Sequence, residues 1–194
     1  MNNNKVGLYF GSFNPIHVGH LIIADFILKN SDLDKIWFVV SSHNPFKKKE
    51  SLLADYHRLT LVNIAIEDNN KFKATDIEFH LSQPSYTINT LEHLKEKYPD
   101  KDFSLIIGGD NLVTFNKWKN YRKILENHKL YVYPRLGELT ECPLSTHSSV
   151  IHVKSPIIEI SSSMIRKSIK EKKDMRYMLP EKVYKYIKEM HFYE

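Results

Sequence analysis

Short apolar runs alternate with amphipathic stretches along this chain, and the period of each predicts its element. Residues 5–10 (KVGLYF), 35–41 (KIWFVVS) and 103–107 (FSLII) are rich in β-branched and aromatic side chains and apolar nearly throughout. Strands covered on both faces look like this. Residues 72–79, 129–133 (closed by Pro134) and 150–153 read as further strands. Between them, helical spacing runs over 18–29, 55–68, 86–98, 119–127, 162–172 and 180–190, the last with Pro180 at its first turn. No repeat, low-complexity tract or linker divides the chain. Strand–helix–strand alternation with doubly buried strands predicts an α/β fold, an open, mostly parallel sheet with helices on both faces. One domain over residues 1–194 is expected, with the C-terminal helical segment (about 160–194) packed on it. In such sheets ligands bind beyond the carboxyl ends of the strands, where the strand order reverses, so motifs directly after strands carry most weight.

Composition narrows the function classes. With 42% hydrophobic and 12% aromatic residues among 194, the chain has too many large apolar groups to stay disordered. Cys142 is alone, which excludes a disulfide scaffold and a cysteine-based zinc site. No apolar stretch approaches the roughly 20 residues a bilayer needs, and the start, Met1-Asn2-Asn3-Asn4-Lys5, does not read as a signal peptide. A reduced, cytoplasmic protein without a membrane partner is expected. The formal charge of +5 is unevenly spread: residues 160–190 carry Arg166, Lys167, Lys170, Lys172, Lys173, Arg176, Lys182, Lys185 and Lys188 against Glu171, Asp174, Glu181 and Glu189. That excess suits phosphate-bearing partners, or simply a solvated helix face.

Two segments carry phosphate chemistry. Gly11-Ser12-Phe13-Asn14-Pro15-Ile16-His17-Val18-Gly19-His20 follows the first strand and opens the first helix. Gly11 allows a tight turn, and Gly19 leaves no side chain to block a phosphate. His17 and His20, three apart, share one face of a helix N-terminus, where unpaired N–H groups and the helix dipole favour an anion. Imidazoles there donate to phosphoryl oxygens and add charge when protonated. Two ordinary helix-start histidines and a metal pair are the competing readings, the latter with no third ligand nearby. Ser161-Ser162-Ser163-Met164-Ile165-Arg166 opens the penultimate helix. It reads either as a capped helix with an outward Arg or as a hydroxyl-lined phosphate cradle with a guanidinium above it.

The first segment resembles the signature of the HxGH nucleotidyltransferases, a superfamily with a Rossmann-like fold, and the second resembles its I-S-S-T-x-[IL]-R motif, with Ser163 in the Thr place. Ser85-Tyr86-Thr87-Ile88-Asn89-Thr90-Leu91 and Gly108-Gly109-Asp110-Asn111-Leu112, followed by Phe115 and Trp118, are similar to motifs of bacterial nicotinate-nucleotide adenylyltransferases. So are Asn44-Pro45-Phe46-Lys47, Arg58-Leu59 and Tyr177-Met178-Leu179-Pro180. Asn14 and Asn89 stand where Asp is usual, and Phe46 where His is common.

The resemblance implies AMP transfer from ATP to nicotinate mononucleotide, giving deamido-NAD and pyrophosphate, with Mg2+ accompanying ATP and no protein metal ligands. It implies ATP contacts from Gly11, Ser12, Phe13, His17, Gly19, His20, Gly108, Asp110, Ser161, Ser162, Ser163 and Arg166. It places the mononucleotide on Ser12, Lys47, Ser85, Tyr86, Thr87 and Trp118, and makes His17, His20, Lys47 and Arg166 catalytic. A related transferase acting on another acceptor such as phosphopantetheine is the nearest alternative, disfavoured by the 85–91 segment and Trp118. A nucleic-acid-binding module using the basic C-terminal helices is the alternative of another class, and nucleic acid is not the expected partner.

Overall fold

Alternation within the strands decides the architecture. In β1 (Lys5–Gly11) Val6 and Leu8 point to one face and Tyr9 to the other, while β2 (Lys35–Val40) divides Trp37 and Val39 from Ile36, Phe38 and Val40. In β4 (Asp102–Gly108) Phe103, Leu105 and Ile107 oppose Ile106, and in β5 (Leu130–Tyr133) Leu130 and Val132 oppose Tyr131 and Tyr133. Both sides of the sheet must therefore be covered. On the first, α3 (Thr87–Lys97), α4 (Gly109–Val113) and α5 (Tyr121–Asn127) contribute Ile88, Leu91, Leu94, Leu112 and Ile124. On the second, α1 (Val18–Lys29) and α2 (Asp55–Ile66) are joined by α6 (Ser162–Lys170) and α7 (Glu181–Glu189), whose Ile165, Val183 and Ile187 are fully enclosed. The C-terminal helices thus share a core with α1 and α2.

This computed structural model describes residues 4–42, 52–135 and 142–194. With β3 (Phe72–Thr75) and β6 (Val150–His152), the six strands lie in the order β3-β2-β1-β4-β5-β6. Every neighbouring pair is parallel, so the sheet is wholly rather than mostly parallel. The direction of winding reverses between β1 and β4, and their carboxyl ends, Gly11 and Gly108, flank the crevice this topology reserves for ligands.

Two elements differ from expectation. Residues 72–79 do not form one strand: β3 stops at Thr75 and a 3-10 turn, Ile77–His80, follows. Ile77 N–H donates to Thr75 Oγ1 and Phe79 N–H to the Asp76 carbonyl, so local bonds displace the ladder. The short α4 directly after β4 has too few residues to show a helical period in the sequence. Among the described residues no helix is long and apolar enough to cross a membrane.

Candidate active site

The loop from Ser12 to His17 joins β1 to α1 and is buried from Phe13 onward. Neither helix nor strand, it cannot satisfy its own peptide groups, and buried peptide groups need partners. They come from far along the chain. Arg58, on α2 and 0% exposed, donates through Nη1 to the Ser12 carbonyl at 2.7 Å and through Nε to the Leu53 carbonyl at 3.0 Å. Its Nη2 reaches Asp55 Oδ1 at 2.6 Å and the Ser42 carbonyl at 3.4 Å. Arg166 Nη1 donates to the Asn14 carbonyl at 2.8 Å, and Ser162 Oγ to the Pro15 carbonyl at 2.8 Å. The N–H of Val18, first residue of α1, donates to the Met178 carbonyl at 3.1 Å. Two motifs some 140 residues apart by numbering are therefore fastened together.

Phe13 adopts φ 43°, a left-handed conformation uncommon for a bulky side chain. Its ring packs on Tyr9 at 5.9 Å, on Phe38 at 5.6 Å and against His20 at 5.1 Å. A Cβ on Gly11 would come within 2.9 Å of that ring. Gly11 is thus the last residue of β1 and makes room for Phe13; it is not a turn residue. Phe13 is only 1% exposed and its ring backs His20, so the ring is not open to a ligand. A Cβ on Gly19 would sit 2.7 Å from Ile158 Cγ2 and 3.0 Å from His17 Nδ1. Its missing side chain admits those neighbours.

His17 and His20 stack, with ring centroids 3.7 Å apart and an interplanar angle of 29°. The backbone N–H of His17 donates to His20 Nδ1 at 3.2 Å, so Nδ1 is the acceptor and the ring proton belongs on Nε2. His20 is half-buried, whereas His17 is 5% exposed. Burial, aided by the charge of Arg135, pushes the His17 imidazole down from its ordinary 6.5 to about 4. It is therefore a neutral ring at pH 7, and the charge that a protonated imidazole would add is not supplied by His17 there. Among the described residues its Nδ1 has no hydrogen-bond partner.

The three serines are spent differently from the expected cradle. Ser161 Oγ caps α6 by accepting from Met164 N–H at 3.2 Å, Ser162 holds Pro15, and Ser163 Oγ accepts from Arg166 Nη2 at 3.3 Å. They position Arg166 against the loop. Asp110, in the first turn of α4, lies so close over Gly108 that a Cβ there would come within 2.4 Å of its carboxylate. Arg135, two residues past β5, reaches Asp110 at 3.9 Å and lies over the Tyr133 ring at 5.5 Å. Reasoning from motifs did not single it out, although the rule that weights residues just past a strand applies to it.

The second half of the crevice gathers around α3. Ser85 Oγ donates to Glu78 Oε2 at 3.2 Å and Thr90 Oγ1 to Glu78 Oε1 at 3.0 Å. Ser85 therefore serves a buried carboxylate that sequence reading overlooked. Tyr86 is the N-cap of α3 without a side-chain cap, and Lys119 Nζ sits 4.5 Å from its ring. Trp118 is half-exposed and leans on Phe115 at 4.8 Å. Tyr86, Thr87 and the 118–119 segment are thus brought together. Lys47, with Asn44, Pro45 and Phe46, lies outside the described residues. The basic C-terminal segment is laced with acids: Lys173 pairs with Glu171, Arg176 with Asp174, Lys182 with Glu67 and Lys185 with Glu181. Among the described residues no group of three or more His, Cys, Asp or Glu could hold a metal ion.

Comparison with known proteins bears on this geometry. The cytidylyltransferase-like family model matches residues 8–168. The probable nicotinate-nucleotide adenylyltransferase of Flavobacterium psychrophilum is 56% identical over 191 residues, covering 98% of this chain and 99% of that one. The protein of the same name from Christiangramia forsetii is 56% identical over 194 residues, covering 99% and 100%. Among solved structures, Plasmodium falciparum nicotinic acid mononucleotide adenylyltransferase complexed with NaAD superposes with a TM-score of 0.83 at 23% identity, covering 98% of this chain and 97% of that one. At that identity it attests the fold.

Two outcomes follow from the site's packing. Arg58→Ala should cost about 3–5 kcal/mol, because it leaves a cavity and strips the Ser12, Leu53 and Ser42 carbonyls of their donor, while the partly exposed Asp55 carboxylate can turn to water; urea unfolding measures this, and a loss under 1 kcal/mol would contradict the role given to Arg58. For His17, the native ring is neutral down to about pH 4 while the unfolded ring protonates near 6.5, so its contribution is present above 6.5 and lost on acidification toward 4. Wild type should then lose roughly 1.4 kcal/mol per pH unit more than His17→Asn across that window. Parallel stability curves for the two proteins would refute the assignment.

Proposed function

The chain belongs to the nicotinate-nucleotide adenylyltransferases of the cytidylyltransferase-like family, and from that premise we propose how its crevice transfers AMP from ATP to nicotinate mononucleotide. The products are deamido-NAD and pyrophosphate, the former a step in NAD biosynthesis. The observation that carries the reading is the convergence of His17, His20 and Arg166 on one buried loop at the switch point of the sheet. That juxtaposition suits a polyphosphate. The lone Cys142 and the small anionic substrates fit a reduced, cytoplasmic setting.

The nucleophile is the phosphate of the mononucleotide, whose second pKa is about 6, so it is already largely ionised at pH 7. No general base is needed. An oxygen of that phosphate forms a bond to the α-phosphorus of ATP while the bond to the β-phosphate bridging oxygen breaks. The obstacle is anionic repulsion: two unit charges about 4 Å apart repel by roughly 4 kcal/mol at an effective dielectric near 20. Catalysis is then positioning and charge neutralisation. His20 donates from Nε2 to an α-phosphoryl oxygen, with Phe13 and His17 holding its ring. Arg166 supplies charge and paired donors to the phosphates, and Arg135 adds a second cation across the crevice. Lys47 is assigned to the same cationic cluster on family pattern alone.

Mg2+ bound with ATP would supply charge neutralisation for the pyrophosphate leaving group. Asp110, in the first turn of α4 just past β4, is assigned to that ion's water shell or to a ribose hydroxyl. On the acceptor side Trp118 offers its open face to the pyridine ring. The uncapped first turn of α3 at Tyr86 and Thr87 offers N–H groups to the nicotinate carboxylate.

An assay of pyrophosphate release with nicotinate and nicotinamide mononucleotides side by side tests the activity itself; no release with either would overturn it. In that assay His20→Ala should lower kcat by more than about 10²-fold while the protein stays folded, and wild-type turnover would remove His20 from the chemistry. Trp118→Ala should raise KM for the mononucleotide well above any change in KM for ATP. Equal shifts in both would make Trp118 a packing residue.

A further inference from the structure

The last residues of the chain return to the nucleotide loop. Beyond α7, His191 and Tyr193 take left-handed φ values of 51° and 69°, which bulky L side chains rarely adopt without being held there. Phe192 N–H donates to the Ile187 carbonyl at 3.0 Å, and the ring of Phe192 packs against His57 of α2 at 4.6 Å. This fold-back aims the next side chain inward. Tyr193 Oη donates to Asn14 Oδ1 at 2.8 Å, across 179 positions of sequence.

Asn14 joins that contact to the chemistry. Its amide oxygen accepts from Leu53 N–H at 3.3 Å as well as from Tyr193, and its own carbonyl accepts from Arg166 Nη1. The side chain is 2% exposed. Burial raises the Tyr193 phenol above its ordinary value, with Arg166 and Arg58 pulling the other way. The hydroxyl is thus a neutral donor lying close to both guanidinium groups that hold the loop.

We propose that the C-terminal residues form a strap in which Tyr193 is a positioning residue, fixing Asn14 and, through the Asn14 carbonyl, the guanidinium of Arg166 over the nucleotide phosphates. The proposal rests on the reading of Arg166 as a phosphate ligand. Tyr193 touches no substrate; it sets the atom that Arg166 leans on. A neutral phenol suits this place because it braces the loop without adding negative charge beside an anionic ligand.

The test is a cycle of Tyr193→Phe and Arg166→Ala in the full chain, assayed for deamido-NAD formation with ATP and mononucleotide varied separately. Tyr193→Phe should raise KM for ATP about 3- to 10-fold, with KM for the mononucleotide changing less than twofold. In the Arg166→Ala background the same substitution should have no further effect on ATP, because its route is already cut. A truncation ending at Phe192 should repeat the ATP effect with retained α-helical circular dichroism. Wild-type KM for ATP in Tyr193→Phe, or an undiminished effect in the Arg166→Ala background, would overturn the strap while leaving the proposed function intact. Wild-type activity in Arg166→Ala would instead sink the role of Arg166 and the strap with it.

Discussion

Everything at this site depends on how a short irregular loop, buried between β1 and α1, satisfies its backbone. Three successive segments of that loop present inward carbonyls, at Ser12, Asn14 and Pro15, and each is met by a side chain from another part of the chain. A buried polar group left without its partner costs about 1–3 kcal/mol, so three together rival the stability of a typical domain. The loop can hold its shape only because α2, α6 and the C-terminal turn are packed around it. The architecture of the second half of the chain is therefore a condition for the geometry of residues 12 to 20.

That arrangement also explains how the site can be ready before a substrate arrives. Donors that will face developing charge are most effective when they need no reorganisation at the moment of reaction. Arg166 is oriented by Asn14 and Ser163, and His20 by the His17 N–H and the Phe13 ring. The strained φ of Phe13 is sustained by the rings of Tyr9, Phe38 and His20 and by the bare Cα of Gly11. The two histidines differ in burial. The enclosed His17 ring is held neutral by burial and by the charge of Arg135, and it stacks on His20, the more accessible of the pair.

Much of this was legible in the sequence, and the missing parts share a cause. Strand and helix positions were readable because β1, β2 and β4 are apolar on both faces, and because α6 and α7 are strongly amphipathic. The G-S-F-N-P-I-H-V-G-H segment stood out because glycine and histidine at those intervals after a strand are rare without a reason. Individual roles were less legible. Gly11 and Gly19 signalled close packing, but the sequence could not say that Phe13, His17 and Ile158 would be the packed groups. Arg58 matched a family motif with Leu59 but with no role attached, and Tyr193 carries no local signature; an arginine on a helix and a late tyrosine look like surface residues until the loop they serve is in place. The strand expected over 72–79 ended early because Asp76 and Glu78 found local and tertiary hydrogen bonds that outcompeted the ladder.

The acceptor half of the crevice repeats the principle with the opposite charge. Glu78 is 4% exposed, and burial raises its carboxyl above the usual range while hydroxyls of Thr90, Ser85 and Ser41 oppose that rise. Because its folded value lies above its unfolded one, its ionisation weakens the fold as pH rises through the carboxylate range, whereas His17 weakens it as pH falls below 6.5. A carboxylate so placed is retained only where its acceptor oxygens are needed, since an apolar side chain would be cheaper to bury. Here they hold the two hydroxyl residues that flank the first turn of α3, Ser85 before it and Thr90 within it. The Ser and Thr of that motif therefore fix the helix start in space, and the backbone N–H groups it exposes are aimed by the charge beneath them. Arginines brace the loop between β1 and α1, and a buried carboxylate braces the start of α3, so each wall of the crevice is held by an ionisable group set behind it.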